Sequence, residues 1–179
     1  MRLDVEKVYF SPRMSSERKR VSESVRPNES VLVMFSGCGP YPLVIAKNSK
    51  AKEVYGIEIN PIAHRYALEN IKKNKMEKVH SFLGDANKIV PKLKKKFDRI
   101  LMPLPKGAEK YLPVALKYIK KNGFIHFYDF LHENELEKGE EKIISVCKKL
   151  KKSCEIIKTV KCGQYAPGAY RVCVDFKVS

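Results

Sequence analysis

Apolar residues along this chain come in short unbroken runs, separated by stretches with helical spacing. Val31 to Phe35 reads VLVMF, with no polar break, as expected of a strand covered on both faces. Val54–Ile59 (VYGIEI), Val79–Leu83, Arg99–Met102 (preceded by Phe97) and Phe124–Tyr128 predict four more strands. Pro40–Asn48 predicts a helix between the first two. Pro61 stands where proline opens another, with Ile62, Tyr66, Leu68 and Ile71 roughly on one face. A further helix is expected from about Gly107 to Lys120.

Beyond residue 130 the alternation changes. Asn134–Lys152 predicts an amphipathic, Lys-rich helix with Ile143, Ile144, Val146, Cys147 and Leu150 inward. Glu155–Lys161 and Ala169–Val178 then follow as strands with no helix between them, which predicts an antiparallel hairpin. The first 25 or so residues read as a charged lead-in, a short strand at Val8–Phe10 followed by SPRMSSERKR. The expectation is an α/β chain with a mostly parallel, Rossmann-like, seven-stranded sheet closed by that hairpin. Its parts would be a lead-in over 1–28 and one compact unit over 29–179.

Composition narrows the class. The 179 residues are 44% hydrophobic and 9% aromatic, enough to fold around a core. No apolar run approaches the roughly 20 residues needed to span a bilayer, and MRLDVEKVYF lacks the apolar core of a secretory signal. The expected setting is cytoplasmic, with no membrane partner and a monomer favoured. The five cysteines (Cys38, Cys147, Cys154, Cys162, Cys173) form no CxxC pair and lack zinc spacing to a histidine, so they read as reduced thiols with no metal site. Lys and Arg number 36 against 20 Asp and Glu, a net charge of +16. An excess of that sign favours polyanions, because neutralising phosphates releases condensed counterions. A thermophile's ion-pair habit would keep the signs nearly balanced.

Ligands of a doubly wound sheet bind at the carboxyl ends of its strands. The first strand ends in Ser36-Gly37-Cys38-Gly39-Pro40, where Gly37 and Gly39 let the backbone turn tightly and approach a ligand. Glu58 ends the second strand, where an acid accepts hydrogen bonds from both hydroxyls of a ribose. The third glycine of a dinucleotide fingerprint is replaced by Pro42, so the loop is not built for a pyrophosphate. S-adenosylmethionine has no phosphate and suits it. Asp85, in Gly84-Asp85-Ala86, either meets the adenine amino group or caps a helix. The fourth strand ends in Met102-Pro103-Leu104-Pro105, whose prolines fix φ and remove amide donors. That leaves carbonyls for a substrate, or only a rigid loop.

Several segments together carry a family resemblance. VYFSPRMSSERKR, VLVMFSGCGPYPLVIAK, YGIEINPIAHRYALENIKKNK, DRILMPLPKGAEKYL, GFIHFYDF and QYAPGAYRVCVDFKV resemble, in order, the catalytic domain of the archaeal and eukaryotic tRNA (guanine-37, N1)-methyltransferases. The wyosine-pathway aminocarboxypropyltransferases are a sister family, which the Leu104-Pro105 pair disfavours. The resemblance implies a class I methyltransferase fold, S-adenosylmethionine as cofactor and tRNA as partner. It implies that Glu17 takes the guanine N1 proton while Leu104 and Pro105 shape the base pocket. For the cofactor it implies Phe35, Gly37, Gly39, Glu58, Ile59, Asp85, Ala86 and Met102, with Tyr9 and Phe10 close to it or to the base. The chain departs from the family at Val33, where an acid is usual, and at Pro103, where an Asn is. A tRNA-gripping region with a catalytic arginine, usual in the family, has no counterpart before Met1 in this sequence. A non-catalytic tRNA- or cofactor-binding module is the reading from another class.

Overall fold

The computed structural model describes residues 1–104 and 106–179, which divide into two compact units, Met1–Lys94 and Lys95–Ser179.

The first unit holds three parallel strands, β1 (Ser30–Met34), β2 (Glu53–Glu58) and β3 (Val79–Leu83), with Val33 level with Gly56 and Glu58 level with Leu83. All five residues of β1 are buried, as the unbroken apolar run requires. Four helices accompany them, α1 (Ser15–Ser24), α2 (Pro40–Asn48), α3 (Pro61–Lys73) and α4 (Ala86–Lys92). Their starts are locally encoded. Asn60 accepts the amides of Ile62 and Ala63 ahead of Pro61, and Asp85 accepts that of Asn87. Gly39 opens α2 from a left-handed conformation at φ 91°.

Three expectations change in this unit. Val8–Phe10 forms no strand. The Val8 amide closes a turn onto the Asp4 carbonyl at 2.9 Å, and the buried Val8 side chain packs with Cys38 and Ala63. The residue 28 boundary does not separate the units, because the lead-in packs and hydrogen-bonds within the first of them. On α3 the buried positions are Ala63, Ala67 and Asn70, whereas Leu68 is exposed. A Cβ on Gly39 would stand 3.7 Å from the Ala67 Cβ, so close packing there selects small residues over large ones.

The second unit holds β4 (Phe97–Met102), β5 (Ile119–His132), β6 (Cys154–Ala166) and β7 (Ala169–Val178). β4 and β5 are parallel, with Met102 level with Phe127. β7 runs antiparallel to both β5 and β6, so the expected hairpin is present. β5 is longer than its apolar run because β7 pairs with it from Gly123 to His132. Where one helix was expected from Gly107, a 3₁₀ turn (Ala108–Tyr111) leads into α5 (Leu112–Tyr118), and Lys120 already belongs to β5. α6 (Glu137–Lys149) buries Gly139, Ile143 and Cys147, while Ile144 and Leu150 face outward.

The strand order is β3-β2-β1 in the first unit, all parallel, and β4-β5-β7-β6 in the second, with β7 antiparallel to its neighbours, in the expected mixed α/β class. No described helix is long and apolar enough to cross a membrane.

Candidate functional site

The carboxyl ends of β1, β2 and β3 meet at Glu58. One carboxylate oxygen accepts the Gly37 amide at 2.7 Å and the other accepts the Asn60 amide at 2.8 Å. The Glu58 carbonyl accepts the Gly84 amide at 2.8 Å. One residue thus ties together the loops after all three strands. A carboxylate oxygen has two lone-pair sites, so after those two amides each oxygen keeps one acceptor position. Two acceptors side by side match the two adjacent hydroxyls of a ribose, and the donor set fits the group expected from the sequence.

The loop after β1 is shaped for close approach. Phe35, Gly37 and Gly39 take φ of 59°, 57° and 91°, three left-handed residues within five. For Phe35 that conformation costs about 1–2 kcal/mol, a strain of the kind that gathers at ligand sites. A Cβ on Gly37 would meet nothing nearer than the Tyr9 carbonyl oxygen at 4.0 Å, so the lead-in backbone passes over this glycine. Cys38 faces inward and is fully buried. Burial, with a smaller contribution from the Glu58 charge, holds its thiol above the ordinary range and keeps it protonated at neutral pH.

Around this cradle stand the other expected residues of the first unit. Ile59 is exposed at 64% directly after Glu58, an apolar surface beside the carboxylate. Asp85 uses one oxygen to cap α4, which keeps both readings of that residue available, and Ala86 is buried behind it. Tyr9 is exposed at 73%; Phe10 is half-buried, with the Arg18 guanidinium 5.2 Å from its ring centroid. His64 bonds Ser81 Oγ at 3.0 Å, and burial holds it below the ordinary histidine range.

Glu17 differs most from a plain reading of its spacing. It is not a solvated charge on a basic helix: it lies in the first turn of α1 at 4% exposure. Arg20 grips both of its oxygens, Nε to Oε2 at 2.6 Å and Nη2 to Oε1 at 2.7 Å.

The spacing gave no warning of Asn70. It is fully buried on α3, accepts the Arg2 amide at 2.6 Å, and donates to the carbonyls of Arg2 (2.8 Å) and Cys38 (3.1 Å). It latches the lead-in to the glycine loop. A polar residue on the small-residue face of α3 is the only trace it leaves in the sequence.

The remaining expected residues lie in the second unit. Met102 ends β4 fully buried, and Leu104 follows it half-buried. The Met102 carbonyl accepts the Leu104 amide at 2.7 Å, which takes one of its two lone-pair positions. Pro105 falls outside the described residues. The same unit brings Cys173 beside His126, although the sequence spacing suggested no such pairing. His126 Nδ1 stands 2.6 Å from Asp175 Oδ1, Cys173 Sγ stands 3.2 Å from the same oxygen, and Arg99 Nη1 stands 2.8 Å from His126 Nε2. Arginine only donates, so Nε2 accepts and the ring proton sits on Nδ1, facing Asp175. These buried groups form a hydrogen-bond chain across three strands.

Comparison with known proteins places this geometry. Residues 1–157 match the TRM5/TYW2 methyltransferase domain. The tRNA (guanine(37)-N(1))-methyltransferase Trm5b of Pyrococcus abyssi is 40% identical over 180 residues, covering 100% of this chain and 53% of the relative. The tRNA(Phe) (4-demethylwyosine(37)-C(7)) aminocarboxypropyltransferase of Methanocaldococcus jannaschii is 35% identical, covering 98% of this chain and 70% of that protein. Among solved structures, M. jannaschii TYW2 in complex with AdoMet superposes with a TM-score of 0.90 at 34% identity, over 99% of this chain and 80% of that one. The chain spans 49–65% of the length of the first three curated relatives it matches.

Proposed function

The chain belongs to the TRM5/TYW2 methyltransferase domain family, and from that premise we propose that it binds S-adenosylmethionine and methylates N1 of the guanine beside the anticodon of tRNA. The observation that carries the reading is the Glu58 carboxylate, held by Gly37 and Asn60 with one acceptor left on each oxygen.

Bound S-adenosylmethionine supplies an electrophilic methyl group on a sulfonium. Glu58 holds the ribose hydroxyls. Gly37 and Gly39 admit the ligand against bare backbone, with Phe35 beside them. Ile59, Asp85 and Ala86 would hold its adenine end. Tyr9 and Phe10 of the lead-in border the cofactor and the incoming base. Met102 would lie at the cofactor, and Leu104 and Pro105 would shape the pocket that a guanine flipped out of its stack enters.

Guanine N1 is a poor nucleophile until its proton leaves. Glu17 accepts that proton, its carboxylate oriented by the two contacts from Arg20. With N1 deprotonated, the bound cofactor would supply the methyl group and be left as the neutral thioether. The +16 chain holds the phosphates.

Similarity to the aminocarboxypropyltransferase supports a second reading, transfer of the other sulfonium substituent to a wyosine precursor. Incubating the chain with S-adenosylmethionine and unmodified tRNA, followed by mass analysis of the nucleosides, separates the two. A methylated guanine is expected. An aminocarboxypropyl adduct establishes the alternative, and absence of cofactor binding by calorimetry removes both.

A further inference from the structure

The second unit carries a feature that the proposed chemistry does not use. Met102, the last residue of β4, is level with Phe127, yet β5 continues through Tyr128, Asp129, Phe130 and Leu131 to His132. β7 stays paired with it to the end, His132 opposite Ala169, and β6 stays paired with β7 to Ala166. At the rise of a strand this overhang is about 17 Å. β5, β7 and β6 therefore form a wall standing past the carboxyl end of β4, the end that carries Leu104.

The face of that wall is aromatic and cationic. Phe130 is opposite Arg171 in the ladder, and the Arg171 guanidinium lies 5.1 Å from the Phe130 centroid. The Tyr165 ring lies 4.1 Å from the Phe130 ring at 31°, reaching across β7 from β6. The register of β6 shifts between Gln164 and Ala166, which leaves Tyr165 as the extra residue of a bulge, a device that re-aims a side chain. Tyr165 is 53% exposed although Phe130 covers one side of it. On the same face, Lys158 is level with Asp175 and its side chain is 51% exposed, whereas Lys161 packs on Tyr170 on the opposite face. An aromatic pair pinning a hairpin tip would need neither the bulge nor a ring left open to water. Exposed rings set among cations are how proteins hold unpaired nucleotides, since every base offers a π-face.

We propose that Tyr165, backed by Phe130 with Arg171 on the same face, is a stacking shelf for one unpaired base of the RNA, a neighbour of the nucleotide whose guanine is modified. The proposal rests on the tRNA reading above and adds a subsite to it.

The test uses an anticodon stem-loop RNA with 2-aminopurine beside the target guanine. It is titrated with the chain, with Tyr165→Phe and with Tyr165→Leu, while S-adenosylmethionine affinity is followed by calorimetry. Stacking on Tyr165 quenches the probe in the wild-type and Phe complexes. Leu, which keeps apolar packing on Phe130 but has no π-face, is expected to lose the quench and to bind the RNA about 5- to 100-fold more weakly. Cofactor affinity should stay unchanged in both variants. RNA affinity and quench unaltered in the Leu variant, with the RNA still bound, overturn the shelf alone. No RNA binding by the wild type overturns both the shelf and the tRNA reading.

Discussion

The Glu58 carboxylate accepts the Gly37 amide at 2.7 Å, so the acid at the end of β2 and the glycine loop after β1 form one unit before any ligand arrives. Glu58→Gln tests what that unit does. A carboxamide has one accepting oxygen and one donating nitrogen, so it opposes either the Gly37 or the Asn60 amide donor to donor. It also loses a charge-assisted acceptor for ribose. Affinity for S-adenosylmethionine should fall about 10- to 100-fold by calorimetry, with the circular dichroism spectrum unchanged. Affinity within twofold of wild type would separate Glu58 from the cofactor.

Asn70→Leu keeps the branching of the side chain and removes all three hydrogen bonds that join Arg2 and the Cys38 carbonyl to α3. The stranded groups should cost about 2–3 kcal/mol, or roughly 4–12 °C in Tm for a chain of this size. Hydrogen exchange should rise first in residues 1–10, because the lead-in loses its latch. A uniform rise across α3, with the lead-in still protected, would show that Asn70 supports the helix and not the lead-in.

Most of the fold was legible because the strands are written as apolar runs and the helix starts as Gly, Pro, Asn and Asp at defined places. The glycine loop and Glu58 were legible for the same reason, since their chemistry is local. What the sequence concealed depends on partners far along the chain. β5 reads as the five residues Phe124–Tyr128 and grows to fourteen because β7 pairs with it from Gly123 to His132 and β4 holds its start at Ile119. The α3 core face is Ala63 and Ala67, small because Gly39 approaches, and a search for large apolar residues points to exposed Leu68 instead. Val8 looks like part of a strand but packs as a single plug against Cys38 and Ala63. Spacing alone makes Glu17 a surface charge, and only the fold buries it against Arg20.

Cys147 makes a pH-dependent contribution. Burial first, and then the neighbouring Cys154 thiol, push it up to about 12. The folded chain thus holds this proton more tightly than the unfolded chain, whose thiols lose theirs near pH 8.5. The resulting stability is complete below the unfolded value and declines as pH rises from there toward the folded one. The Tm difference between wild type and Cys147→Ala should stay constant from pH 6.5 to 8 and narrow between pH 8.5 and 10.5. Parallel pH profiles for the two proteins would exclude the linkage.

Glu17→Gln separates base catalysis from architecture. The substitution keeps the shape of a side chain only 4% exposed and leaves one oxygen to accept from Arg20, so α1 should remain in place. What it removes is a group able to take the guanine N1 proton. Loss of a positioned base costs about 10²- to 10⁴-fold in rate. Single-turnover methylation at saturating tRNA should fall by that factor, with the affinities for S-adenosylmethionine and for tRNA within about threefold of wild type. Glu17→Asp keeps the carboxylate but withdraws it by one methylene, and should recover part of the rate. A rate lost equally in both variants, together with lowered Tm and weakened ligand binding, would mean that Glu17 serves only to anchor Arg20. Turnover unchanged in Glu17→Gln would remove Glu17 from the proton transfer and move the search for the base to the rest of the pocket.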